Sequence, residues 1–180
     1  VFFSVTTTQE AGLTSTQISV LTPAQEGWLT TTQLVALTPI QISGLTSTEV
    51  TSLNLGQLQE LTSTQIGGLS TSGLAGLSAF NITNIFTTTQ EAGLTIALLT
   101  TVQDSALTST QIVSLTSTQA SGLTSTQIAS FKTTQFNALT THLIAGLTTT
   151  SLAGLRSTQV ASLTTTQEAG LATDQIAALS

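Results

Sequence analysis

Apolar residues return along this chain every eight positions. Leu13 opens LTSTQISV, Leu29 opens LTTTQLVA and Leu37 opens LTPIQISG. The spacing holds from Val5 through Leu77, and a nine-residue unit, LSAFNITNI, follows. FTTTQEAG begins at Phe86, and LTIAL at 94–98 is a five-residue remnant. The octad resumes at Leu99 and runs without a slip to Leu171 and Leu179. With the positions numbered one to eight, the consensus is L-T-[ST]-T-Q-[IVLE]-[AS]-[GSA]. A fixed short period marks a repeat architecture, in which each unit buries its apolar residues only against its neighbours.

The polar positions predict what each octad does. Thr at two and Gln at five form the T-x-x-Q capping box, which starts a helix by reciprocal hydrogen bonds. Leu at one and Ile at six are then the hydrophobic staple across that start. Pro23 and Pro39 fall at position three, the first helical residue, where a missing N–H costs nothing. Gly at eight in many units, Gly44, Gly68, Gly93 and Gly154 among them, fits a left-handed helix stop. Each octad therefore reads as one short capped helical turn. A continuous helix fits poorly, because eight residues at about 100° each overshoot two turns by roughly 80°. The rival reading is a β-solenoid, since TST and TTT segments favour strands. Positions one and six have opposite parity, however, so one straight strand cannot bury both.

The expected fold is all-α, a single octapeptide-repeat solenoid over residues 1–180 with an irregular coil near 77–98. One helical turn alone does not survive in water, with a nucleation constant of about 10⁻³. Pro23 and Pro39 are sixteen residues apart, as are Glu10 and Glu26, which suggests two octads per coil. The stretch at 77–98, with Phe80, Ile82, Ile85 and Phe86, reads as a kink within one array. Val1, Phe2 and Phe3 at one end, with Ile176 and Leu179 at the other, are the candidate assembly interface.

Composition narrows the chemistry. Charged residues make up 6% of the chain and the net charge is -6. Lys132 and Arg156 are the only cations, too few to track a nucleic-acid backbone. No Cys is present, and no apolar run reaches the roughly 18 residues of a membrane span. VFFSV lacks the basic segment of a signal peptide, so the chain reads as a processed product or part of a longer one. His142 is the single His, standing where other octads carry Thr, and is expected at the surface. Nothing calls for a cofactor, a metal or a small-molecule substrate, and no enzyme is expected. Glu10, Glu26, Glu91, Asp104 and Glu168 occupy position six, where Ile is usual. They are expected to turn outward, or else to mark a contact between subunits or a weak cation site. Glu49 replaces the capping Gln and should do its job. Gln at five can cap its own turn or build an amide ladder between units. Trp28 reads as a packing plug, and Asn81-Ile82-Thr83 matches a glycosylation sequon.

LTSTQI, LTTTQL and LTTTQE resemble the LTTAQI-type octads of repeat-rich, adhesin-like bacterial surface proteins, over about residues 5–180. The resemblance implies secretion and a bacterial source. LTPAQ at 21–25 also resembles the opening of TAL-effector repeats, which implies a helix start there and nothing about DNA. The expected function is structural: an extracellular filament subunit or cell-surface stalk segment, self-associating end to end. The alternatives are an adhesin or other binding module, and an ice-binding Thr-rich β-solenoid.

Overall fold

The capping chemistry of the octad sets its local structure. In the computed structural model, which describes residues 6–20 and 29–179, Thr62 has extended backbone angles and its hydroxyl accepts from the Gln65 N–H at 3.2 Å. The Gln65 Oε1 accepts in return from the Thr62 N–H at 3.0 Å. The same pair recurs at Thr108–Gln111 and Thr124–Gln127. Pro39 stands at the first turn of the helix Pro39–Ile42, as its position in the octad predicts. Pro23 lies outside the described residues, as do Glu26 and Trp28.

Each helix runs four to six residues and then stops, as at Pro39–Ile42 and Ser63–Gly68. The next position-one Leu turns extended, with Leu69 at φ -62 and ψ 130, and its N–H bonds the Ile66 carbonyl three residues back. No strand occurs among the described residues, so the β-solenoid alternative does not hold. The geometry that would have supported an ice-binding face goes with it.

The contacts group the chain into two compact units, 1–94 and 95–180, dividing within the irregular stretch. In the first, the helix Thr31–Ala36 packs on Leu55–Glu60, and Pro39–Ile42 packs on Ser63–Gly68. In the second, Ser117–Ser121 packs on Thr141–Gly146, and Ser125–Ser130 packs on Thr149–Leu152. In each of these pairs the two helices lie three octads apart.

The glutamine amides fix this register. In the first unit Gln41, Gln57 and Gln65 donate from Nε2 to the carbonyls of Leu13, Leu29 and Leu37, each 28 residues earlier. In the second unit Gln127, Gln135, Gln159, Gln167 and Gln175 reach Leu99, Leu107, Phe131, Leu139 and Leu147 by the same step. Subtracting the four residues between positions one and five leaves a coil of 24 residues, or three octads. The expectation of two octads per coil is therefore wrong. Spacings of sixteen between Pro23 and Pro39, or Glu10 and Glu26, follow from the octad itself and carry no information about how many octads close a turn.

Positions one, five and six face inward. Leu45, Leu61 and Leu139 are 1–2% exposed, and Ile66, Ile112 and Ile128 are fully buried. Each such side chain contributes roughly 1.5–3 kcal/mol of burial.

The glycines at position eight have a different cause from the one expected. No described glycine has a positive φ, so none serves as a left-handed stop. They lie where one coil approaches the backbone of the coil before it. A Cβ on Gly68 would sit 2.6 Å from the Pro39 carbonyl oxygen and 2.9 Å from its Cα. Gly44, Gly76, Gly93 and Gly154 face Ser15, Ser47, Ser63 and Ser125 in the same way. At Gly12 the nearest atom is the carbonyl of its own turn, at 3.4 Å. Gly68→Ala is thus expected to cost on the order of 1–3 kcal/mol, since the backbone behind it must shift. Gly12→Ala is expected to be neutral or stabilising. Thermal unfolding of the two variants checks this, and equal losses at both sites would restore the left-handed explanation.

Candidate assembly surface

Positions five and six point in opposite directions along the stack, and this polarity defines the surface. Gln at five reaches back to the preceding coil through the bonds just described. Ile at six reaches forward. Ile18, in the first coil, is 2% exposed, whereas Ile176, in the last, is 54% exposed. Glutamine shows the reverse: Gln9 and Gln17 are exposed in the first coil, while Gln159, Gln167 and Gln175 are buried in the last.

The two faces therefore differ in chemistry. On the first coil, the Oε1 atoms of Gln9 and Gln17 accept from the N–H groups of Thr6 and Thr14 at 2.9 and 2.8 Å. Their amide ends stand at the exposed face. On the last coil, position one holds Leu155, Leu163 and Leu171, all half-buried, where the coil before buries Phe131, Leu139 and Leu147. By register their carbonyls are the equivalents of those that take a glutamine amide elsewhere. Val160 is half-buried, Glu168 is exposed, and a hollow of about 430 Å³ opens between Leu155, Val160, Ala161 and Leu179.

Of the sequence-based interface residues, Ile176 and Leu179 both lie on the last coil, one exposed and one half-buried. Val1, Phe2 and Phe3 lie outside the described residues. Gln9, Gln17 and Val160 were not singled out as interface residues, whereas Glu168 carried a contact between subunits as its alternative reading. One signal was available in the sequence: Lys132, Arg156 and Ala172 stand where Thr would cap, yet Gln135, Gln159 and Gln175 remain. A residue that persists when its local partner is gone has a second task. Gln135, Gln159 and Gln175 still accept from the bare backbone N–H of those residues, and they donate to the coil before. Capping and laddering are both performed, by opposite ends of one amide. Where Ser151 replaces Gln, its hydroxyl donates to the Leu123 carbonyl at the same step.

Two of the position-six acids depart from the outward reading, and the side chains of Glu10 and Glu26 lie outside the described residues. Glu168 is exposed, but Glu91 is 1% exposed and Asp104 is fully buried. Among the described residues position six is covered wherever a further coil follows, and Glu91 and Asp104 are carried inside with it. Neither Asp104 oxygen has a hydrogen-bond partner of normal geometry. The nearby Gln127 amide spends its hydrogens on the carbonyls of Ile96, at 2.7 Å, and Leu99, at 3.0 Å. Burial pushes the Asp104 carboxyl from 3.8 up to about 7, against the pull of Gln127. Glu49 does cap the Thr46 N–H, but its Oε1 has no partner where a glutamine would carry a donor.

The other candidates resolve simply. His142 is exposed. The sequon Asn81 sits inside Ala79–Asn84, where its Oδ1 accepts from the Ser78 N–H at 2.7 Å and plays the capping part of Gln. Among the described residues no group of three His, Cys, Asp or Glu could hold a metal ion, and no helix is long and apolar enough to cross a membrane.

The fold defines a class, a short-helix solenoid with three octads per coil and a directional amide ladder. Comparisons with family models, with curated proteins and with solved structures returned no match.

Proposed function

We propose that this chain is a structural module, a filament subunit or stalk segment that lengthens end to end with copies of itself. The observation that carries the reading is the polarity of the coil. One face offers the Gln9 and Gln17 amides, and the other offers Leu carbonyls with Val160 and Ile176. Each face matches what the interior joins between coils. A contact between two different faces of one molecule does not close on itself, and so it propagates as a fibre. The outward positions suit a passive shaft. Thr and Ser dominate positions three and four, and Ser109 and Thr141 turn their hydroxyls to the Thr134 and Thr166 carbonyls of the next coil. The resemblance of the octads to bacterial surface proteins supports an extracellular or cell-surface setting.

Electron microscopy of the concentrated, purified chain tests the reading. Unbranched filaments one solenoid wide are expected. A monodisperse monomer at every concentration and pH tried would overturn it.

A further inference from the structure

We infer that the helical turn Thr101–Asp104 is an acid-locked latch, docked on the helix Ser125–Ser130 while Asp104 is protonated and opening locally when that carboxyl ionises. The latch lies within the unit 95–180 and does not depend on assembly.

Its centre is a carboxyl with no provision for a charge. Asp104 is 0% exposed, and its helix packs on Ser125–Ser130 of the next coil. It stands at position six, which Ile112 and Ile128 fill with apolar side chains that are likewise fully buried. Neither Asp104 oxygen has a hydrogen-bond partner of normal geometry. The Gln127 amide beside it donates instead to the Ile96 and Leu99 carbonyls.

No opposite charge compensates within the unit. The helix Ser125–Ser130 carries no titratable side chain, nor do the flanking turns Ile96–Leu98 and Ser109–Ser114. Lys132, the nearest cation in the sequence, is exposed. An ionised carboxylate in such a place is costly, and the neutral acid is far less so. Burial accordingly pushes the Asp104 carboxyl up to about 7, against a lowering pull from Gln127.

The turn is also short and lightly tied on its N-terminal side. Thr101–Asp104 runs four residues. The three-residue turn Ile96–Leu98 precedes it, and Thr95 makes no side-chain capping bond there. A solenoid's stability is a sum of terms between neighbours, so a penalty at one contact is relieved by opening that contact while the other coils stay stacked. Opening puts Asp104 in water, where it gives up its proton. Below about pH 4 the carboxyl is neutral in both forms, and the latch is at full strength. Between pH 4 and pH 7 each opening releases a proton, so the open fraction rises about tenfold per pH unit, about a thousandfold in all, and then levels off.

Hydrogen exchange of the full chain between pH 4 and pH 8 tests this, read by mass spectrometry and corrected for the intrinsic pH dependence of amide exchange. The peptide 99–107 reports the latch through the Asp104 and Ser105 N–H groups, which bond to the Thr100 and Thr101 carbonyls. The peptide 139–152 reports the rest of the unit through the Ile144 and Leu152 N–H groups. Protection of 99–107 is expected to fall about a thousandfold from pH 4 to pH 7. At pH 8 it is expected to lie below that of 139–152 and to be insensitive to low urea. Asp104→Asn is expected to keep high protection at every pH, with the slope gone. Val102→Asp adds a carboxyl at a position of the same turn that is 65% exposed, and is expected to keep the parent slope. A flat profile in the parent chain, or a slope that survives in Asp104→Asn, overturns the inference. Equal protection in the two peptides at every pH overturns it as well, since the acid would then weaken the whole unit and open no latch.

Discussion

Gln159→Leu is expected to lower the stability of the unit 95–180 by about 3–5 kcal/mol, measured as the urea midpoint followed by circular dichroism. Gln159 is 3% exposed and serves three backbone groups. Its Oε1 accepts from the Arg156 N–H at 2.9 Å, and its Nε2 donates to the Ile128 and Phe131 carbonyls at 2.9 and 3.1 Å. Leucine satisfies none of them, and each stranded buried group costs about 1–3 kcal/mol. The apolar burial gained, roughly 1.5–3 kcal/mol, offsets part of that. Gln17→Leu is the control. Gln17 is exposed and makes the local cap, so its loss is expected to stay near the 1 kcal/mol typical of caps. Equal losses at the two sites would mean that Gln acts as a cap only.

The second large effect is set by pH. Asp104→Asn keeps the size of the side chain and removes its charge. Below about pH 4 the Asp104 carboxyl is neutral whether the chain is folded or unfolded, and no charge penalty applies. Between pH 4 and pH 7 the unfolded chain releases the proton while the folded chain retains it, so stability falls as pH rises. Above pH 7 both states are ionised and the full penalty remains. The gap between 3.8 and about 7 corresponds to roughly 4 kcal/mol. Asp104→Asn is therefore expected to match the parent chain near pH 4 and to exceed it by about that amount at pH 8. A parallel pH profile in the two proteins would show that Asp104 is not the group responsible.

Much of the local structure was legible in the sequence, because capping is a short-range bond between residues three apart. Thr62 and Gln65 could be paired on paper, and Pro39 marked the first helical residue. The coil was not legible. The partner of Gln65 is the carbonyl of Leu37, and nothing in the side chain of Leu37 advertises that. Any whole number of octads per coil satisfies the same sequence, and the choice of three appears only once the helices enclose a core. Glycine misled for a related reason. A glycine after a short helix can serve a left-handed turn or make room for a neighbouring backbone, and Gly68 does the second. Asp104 was read outward because acids usually are, although its place in an apolar column pointed inward. Of the surface proposed for assembly, Ile176 and Leu179 stood out as apolar, whereas Gln9 and Gln17 looked like ordinary caps.

The coil of three octads is the claim on which the ladder and its polarity depend. Nitroxide labels on paired cysteines test it most directly, in a chain that has no cysteine of its own. Residues 109 and 133 are 24 apart, both exposed and both at position three. Stacked helices lie about 8–10 Å apart, so strong dipolar broadening is expected for labels at 109 and 133. Labels at 109 and 125 sit on different faces of the coil and are expected to broaden weakly. Strong broadening at 109 and 125, with little at 109 and 133, would mean two octads per coil and contradict the account.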